Sequence, residues 1–244
     1  MKKLLLGAAS AVLALAAMGT AANAAPTFGV TYFEVPSNFG GDFGICCSSP
    51  PATGVVITLG AALGPNGLPV AETGSTAVDV DATTHEVDWW AVGNGITSTG
   101  SGTLPLPLPL QNMFAPNSTG SNNGSFFETA ILHGVFTGSG APAQLTVQSD
   151  DDAYVYLDGL YIGGNPGVHG TQTAVLNLGS LTGNHTLDVF YADRAQVDAN
   201  LGVTGINLDT LRPGVPEPVT WSLMIMGFGA AGAMLRRSRE LAKA

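Results

Sequence analysis

The stretch that most constrains how this chain can fold is Gln148–Gly170, QSDDDAYVYLDGLYIGGNPGVHG, because it combines a hairpin pattern with adjacent carboxylates. Residues 154–157 read Tyr-Val-Tyr-Leu, an alternation typical of a β-strand with two unlike faces. Asp158-Gly159 then supplies the two positive-φ positions of a type I′ turn, and Leu160–Ile162 returns as the partner strand. The sequence therefore predicts a β-hairpin, which the glycine-rich residues 163–167 are expected to end.

The hairpin is preceded by three consecutive carboxylates, Asp150, Asp151 and Asp152. Adjacent like charges repel one another, so a folded chain needs a reason to keep them together. One reason is a bound divalent cation, which prefers carboxylate oxygens. The other is that the carboxylates cap turns and accept hydrogen bonds from nearby backbone N–H groups. The residues alone leave both interpretations open.

The N-terminal residues 1–24 have the features of a secretory signal peptide. Two lysines precede an apolar run that is too short for a retained membrane span, and the sequence Ala-Asn-Ala follows it. We therefore predict cleavage between Ala24 and Ala25 and export from a bacterial cytoplasm.

The C-terminal part of the chain contains a second apolar segment. Residues 219–235 have no charged side chain, and as a helix they would rise about 25 Å, the short limit for a bilayer core. A cluster of arginines follows, which indicates a cytoplasmic C-terminus. The sequence thus predicts an exported ectodomain over residues 25–214 and a transmembrane helix over 219–235.

The residues around this apolar segment form a recognisable tail. Val-Pro-Glu-Pro, Thr-Trp, the apolar span and the arginine cluster, in that order, resemble the PEP-CTERM sorting tail of Gram-negative bacteria over residues 215–240. The resemblance implies export through the secretion machinery, handling by an exosortase that cuts near the signal, temporary anchoring in the inner membrane, and a producer that secretes exopolysaccharide. The residues that carry it are Val215, Pro216, Glu217, Pro218, Trp221, Arg236, Arg237 and Arg239.

The charge of the ectodomain excludes one large class of function. Residues 25–214 contain 16 of the 18 acidic residues but only two of the eight basic ones, a net charge near −14. Nucleic-acid binding requires basic side chains that displace phosphate counterions, so we exclude it. The abundance of glycine, threonine, serine and β-branched residues, without a long 3.6-residue period, predicts an all-β domain. The predicted strands are Thr31–Val35, Gly54–Leu59, Phe126–Phe136, Gln144–Gln148, Thr173–Leu178 and His185–Tyr191.

The two cysteines, Cys46 and Cys47, are adjacent. Their Cα atoms would lie about 3.8 Å apart, which is below the usual range for a disulfide, so a bridge between them would be strained. Export to an oxidising compartment nevertheless favours some disulfide. A strained vicinal bridge and pairing between two chains both remain open, and free thiols are less favoured.

Aromatic and proline residues add two expectations. The pair Trp89-Trp90 could stack on sugar rings, but burial of at least one ring in the core is the favoured interpretation. Leu104–Leu110, LPLPLPL, cannot be a central strand because its prolines lack ladder donors, so we predict an edge or polyproline II segment.

Two polar residues near the end of the ectodomain carry weaker expectations. Arg194 is expected to pair with Asp188 or Asp193. His169, in the sequence Gly-Val-His-Gly, is expected to satisfy its ring with a neighbouring backbone carbonyl rather than to serve a site.

A second resemblance covers about residues 120–205. Ser149–Asp152, the Asp158-Gly159 turn, Gly167–Gly170 and Leu187–Arg194 together resemble the fibro-slime module, a relative of the lectin-like β-sandwich of the anthrax protective-antigen type that also occurs in yeast flocculins. The resemblance implies a β-sandwich. In calcium-dependent members of the wider family, two neighbouring aspartates joined by a cis peptide hold Ca²⁺. Those positions fall on Asp150 and Asp151, with Asn200 as a further candidate ligand.

These features favour a non-enzymatic, exosortase-sorted surface or matrix protein. The ectodomain would associate with extracellular polysaccharide or biofilm and bind glycan with Ca²⁺. The sequence lacks the nucleophile elbow, zinc, phosphate-loop and dinucleotide motifs of common enzymes. Two alternatives are a purely structural matrix protein without a ligand and, less favoured, a glycan-processing enzyme.

Overall fold

A computed structural model describes residues 25–36, 39, 41–44, 61–72, 75, 79–114, 126–195, 198–208 and 210–213. Within these residues the chain is all-β, as predicted, its strands pair antiparallel, and one short 3-10 helix lies at Asp88–Trp90. No helix in this described part is long and apolar enough to cross a membrane. The strands are β1 (Thr27–Pro36), β2 (Thr97–Pro105), β3 (Leu108–Asn112), β4 (Phe126–Asp150), β5 (Asp152–Leu157), β6 (Leu160–Asn165), β7 (Gln172–Ala192) and β8 (Asn200–Ile206).

Two long strands, β4 and β7, connect two layers of the sheet. They pair with each other almost throughout, with irregularities between Ser139 and Gln144. The first part of β4 lies between β1 and β7, whereas its last part, Gln144–Asp150, lies between β7 and β8. One layer is therefore ordered β2-β1-β4-β7-β5-β6, and the other β7-β4-β8-β3.

The main core lies between these two layers. It contains buried side chains from the first layer, such as Leu132 and Val189, together with Leu145 and Val203 from the second. Burial of apolar faces on both sides of a common core is the arrangement of a β-sandwich. The four strands predicted on either side of the hairpin, between residues 126 and 191, are thus two strands, because the interruptions near 140 and 180 are irregularities within β4 and β7. The predicted strand Gly54–Leu59 lies outside the described residues.

A second core covers the outer face of the first layer. Trp89 and Trp90 pack there with Tyr154, Tyr156 and Phe190, and both tryptophans are buried. The Trp90 indole donates a hydrogen bond to the Tyr191 carbonyl at 2.8 Å. The core interpretation of the tryptophan pair is therefore confirmed.

The predicted hairpin is present as β5 and β6. Asp158 and Gly159 have φ values of 51° and 74°, as a type I′ turn requires. The expected end of the ladder at residues 163–167 is wrong, since Gly163 to Asn165 still pair with β5. Gly164 allows this because a Cβ at that position would lie 2.0 Å from the Ala153 carbonyl oxygen.

The proline segment forms the edges of the fold, as predicted. β2 ends at Pro105 and pairs with β1, whereas β3 begins at Leu108 and pairs with β8. Within the described chain, both strands are the last members of their layers, where missing proline N–H donors cost no ladder bond.

Candidate functional site

The three consecutive carboxylates lie at one end of the sandwich. β4 ends at Asp150 and β5 begins at Asp152, so Asp151 occupies the connection between the layers. The Asp150–Asp151 peptide bond is cis, as the resemblance implies. The relative exposures of the three residues are only 7%, 1% and 0%. Solvation alone therefore does not explain why the chain tolerates them.

Asp152 is neutralised by a buried arginine. The Arg194 Nε donates to Asp152 Oδ2 at 2.7 Å, and both side chains are fully buried. The other Asp152 oxygen accepts hydrogen bonds from the Tyr154 hydroxyl and the Gly167 N–H, both at 2.5 Å. The Arg194 guanidinium also lies 4.8 Å from the centre of the Trp89 ring. Asp152 is therefore a structural ion-pair partner.

The predicted partner of Arg194 is wrong, because the arginine pairs with Asp152. We expected Asp188 or Asp193, but Asp188 contacts His133 Nδ1 instead. The alternation along β5 explains the difference, because Asp152 points to the same face as Tyr154 and Tyr156 and therefore enters the second core.

Asp151 is held by the backbone on both oxygens. Oδ1 accepts from the His169 N–H at 2.8 Å, and Oδ2 accepts from the Arg194 N–H at 2.9 Å. Burial raises the pKa of Asp151 to about 6, against the lowering effect of these two hydrogen bonds. Each carboxylate oxygen keeps a further lone pair, so the group is oriented but can still bind a cation.

Asp150 is the least enclosed of the three carboxylates. Thr171 Oγ1 lies 3.5 Å from Asp150 Oδ2, and Asn200 is directly opposite Asp150 in the β4–β8 register. Burial and the nearby Asp198 raise the pKa of Asp150. Asn200 is half-buried and Thr171 exposed, so this corner of the sandwich is open to solvent.

His169 lies beside this corner, where its backbone N–H donates to Asp151. Its Nδ1 is 2.9 Å from the Gly170 carbonyl oxygen, and its Nε2 is 3.4 Å from the Asn165 carbonyl oxygen. The prediction of a ring satisfied by a neighbouring carbonyl is confirmed.

The carboxylate, amide and carbonyl oxygens at this corner are ligands that suit a hard cation. No group of three or more His, Cys, Asp or Glu side chains in the described ranges converges as a metal cage. The three predicted ligands nevertheless lie together, since Asp150 and Asp151 are adjacent and Asn200 faces Asp150 across the ladder. Two carboxylates, a side-chain amide and carbonyl oxygens are ligands that Ca²⁺ accepts.

The remaining predicted sites lie outside the described residues. These are Ala24 of the cleavage site, the pair Cys46 and Cys47, and the whole sorting tail from Val215 to Arg239. Ala25, the predicted first residue of the mature chain, is described and exposed.

Comparison with known proteins gives structural similarities only. No family model and no curated protein matches the chain. A PA14 sugar-binding domain from an RTX adhesin aligns with 33% of this chain at 21% identity and a TM-score of 0.28. The epithelial adhesin 9 A domain from Candida glabrata, solved with Galβ1-4GlcNAc, aligns with 77% of this chain and 85% of its own at 10% identity and a TM-score of 0.41.

A third similarity is to the GH31 α-xylosidase from Xanthomonas citri, over 43% of this chain and 11% of that enzyme, at 14% identity and a TM-score of 0.27. The chain spans 46% of the first of these structures, less than half its length. The function must therefore be argued from the residues of the site.

Proposed function

We propose that this chain is an exported, non-enzymatic surface or matrix protein that binds glycan with Ca²⁺ at Asp150, Asp151 and Asn200. The observation that supports this best is the juxtaposition of two adjacent buried carboxylates and the half-buried Asn200, next to the exposed Thr171. Ca²⁺ takes six to eight oxygen ligands, more than these side chains supply. When bound, it would provide coordination positions that sugar hydroxyls can complete.

Electrostatics favour a cation at this corner. Burial raises the pKa values of both Asp150 and Asp151, so each ionised carboxylate lacks full compensation. Arg194 pairs with Asp152 through its side chain and donates its backbone N–H to Asp151. A divalent cation at Asp150 and Asp151 would relieve the remaining repulsion.

One observation favours the alternative of a structural matrix protein without a ligand. Both oxygens of Asp151 and both oxygens of Asp152 already accept hydrogen bonds within the protein. In that alternative the carboxylates connect the two layers and the loops around them. A glycan-processing enzyme is the least favoured candidate.

A glycan array separates these candidates. We expect the full chain to bind a subset of glycans in 2 mM Ca²⁺. Its affinity for these glycans should fall about tenfold or more in EDTA. The Asp150→Ala variant in 2 mM Ca²⁺ should bind them as weakly as the wild type does in EDTA. The matched control is Glu72→Ala, which removes an exposed carboxylate far along the chain. Absence of glycan binding in both conditions would favour the structural alternative, and release of sugar would favour the enzyme.

We further propose that the PEP-CTERM-like tail directs export and sorting of the ectodomain to the cell surface or the extracellular polysaccharide. The exosortase would cut near Pro216–Pro218, so residues 219–235 anchor the protein in the inner membrane only until processing. Mass spectrometry of the surface-associated protein should give a C-terminus near residue 218. A mature protein that still ends at Ala244 would rule out processing.

A further inference from the structure

The outer face of the second layer carries an unusual surface. In β4, β7 and β8 the residues at alternate positions, such as Leu145, Val147 and Val203, point into the main core. The intervening residues therefore point outward, and we call their surface the amide face. It consists of Gln144, Thr146 and Gln148 of β4, Thr173, Val175 and Asn177 of β7, and Thr204 and Ile206 of β8.

None of the side chains of the amide face is charged, although the ectodomain carries about −14 overall. Their hydrogen-bonding groups are held in fixed positions by bonds across the strands. Gln144 Nε2 donates to Asn177 Oδ1 at 3.0 Å, and Gln148 Nε2 lies 3.4 Å from Thr173 Oγ1. Each primary amide keeps at least one further N–H and the remaining acceptor capacity for a partner.

Apolar side chains are interspersed among these polar groups. Val175 and Ile206 are 56% and 57% exposed, so both side chains offer apolar contact area to a partner. Leu110, 43% exposed, borders the same face, because its backbone would lie 3.0 Å from a Cβ at Gly202. The face thus alternates hydrogen-bonding and apolar groups, as the edges and faces of sugar rings do.

The amide face leads directly to the candidate cation site. Along β4, Gln144, Thr146 and Gln148 occupy successive outward positions, and Asp150 is the next one. On β8 the corresponding positions end at Asn200, which is opposite Asp150. At about 3.3 Å per residue, the row from Gln144 to Asp150 is about 20 Å long, so one extended ligand could contact both regions.

We propose that the amide face binds an extended segment of a neutral polysaccharide that continues from the sugar at the cation site. This inference rests on the proposed glycan-binding function and adds that the ligand is an uncharged polymer. A charged polymer buried against a face without counter-charges would lose hydration without compensation. The acidic ectodomain also repels anionic polymers at long range and repels a second copy of itself.

The test compares polymers with short sugars in 2 mM Ca²⁺. The full chain is run through native gels that contain galactomannan, dextran or pullulan, with alginate as the anionic polymer. Its affinity for the disaccharide unit of each neutral polymer is measured by titration. The main variant, Thr146→Glu, introduces a charge in the centre of the amide face. The matched control, Thr103→Glu, makes the same change at an exposed position of β2.

We expect at least one neutral polymer to retard the wild type, with an affinity about tenfold or more above that for its disaccharide. Thr146→Glu should abolish this difference and leave the disaccharide affinity unchanged, whereas Thr103→Glu should have no effect. Val175→Ala, which keeps the face uncharged, should weaken polymer binding at least about threefold. This variant still tests the amide face if Thr146→Glu does not fold.

Three outcomes would overturn the inference. They are equal polymer binding by wild type and Thr146→Glu, retardation by alginate alone or by none of these polymers, and a dimer of the wild type that Thr146→Glu dissociates. Failure of the proposed function is distinguishable, because it appears as loss of all binding to the glycan array, whereas failure of this inference leaves Ca²⁺-dependent binding of short sugars intact.

Discussion

Replacement of Asp152 by alanine should lower the free energy of unfolding by about 3–5 kcal/mol, because it leaves the buried Arg194 guanidinium without its carboxylate. The change also removes the acceptor of the Tyr154 hydroxyl and of the Gly167 N–H. Urea denaturation of the full chain at pH 7 measures the effect. Glu72→Ala, at an exposed position, should change the free energy of unfolding by less than about 0.5 kcal/mol.

A double variant tests whether the destabilisation comes from the unpaired charge. Asp152→Leu combined with Arg194→Met replaces both charged groups with apolar ones and should recover part of the stability lost by Asp152→Ala. A loss below about 1 kcal/mol in the single variant would contradict the buried ion pair. A double variant that is as unstable as the sum of the two single ones would show that the hydrogen bonds, rather than the charge, dominate.

Local sequence patterns predicted much of the fold correctly. The alternation of residues 187–191 places Leu187, Val189 and Tyr191 in the main core, with Phe190 on the opposite face in the second core, as a period of two requires. The Asp158-Gly159 turn and the edge positions of the proline segment follow equally from backbone chemistry. In each case the cause lies within a few residues of the effect.

The predictions that failed depend on distant parts of the chain. Residues 137–143 lie between two predicted strands, yet β4 continues through them, because β7 supplies a partner on both sides of the irregularity. The ion-pair role of Asp152 was not predicted. Its spacing of two and four residues from Tyr154 and Tyr156 places the three side chains on one face of the strand, which indicates burial. The ectodomain contains only two arginines that could pair with it. No spacing in the sequence reveals that Arg194 is the partner.

The continuity between the candidate cation site and the amide face was also hidden from the sequence. Gln148 and Asp150 are two residues apart, but Thr173 and Asn200 reach them only through the β7 and β8 registers. Asp150 and Asp151 are indicated by a family resemblance in the sequence, whereas the surrounding surface follows from strand pairing.

Calorimetric titration of the full chain with Ca²⁺ tests the proposed calcium site at Asp150 and Asp151 most directly. We expect heat of binding with a dissociation constant in the millimolar range or below. The melting temperature should also rise, since a ligand at 100 times its dissociation constant stabilises the folded state by about 2.7 kcal/mol. Binding should weaken between pH 7.5 and pH 5.5, because the Asp151 carboxyl, with its pKa raised by burial to about 6, must lose its proton to bind the cation.

The same titration of variants assigns the ligands. Asp150→Ala and Asp151→Asn should each lose both the heat and the rise in melting temperature, whereas Glu72→Ala should retain both. Wild-type protein that gives no heat and no rise in melting temperature at millimolar Ca²⁺, or variants that bind as the wild type does, would contradict a calcium site at these two carboxylates.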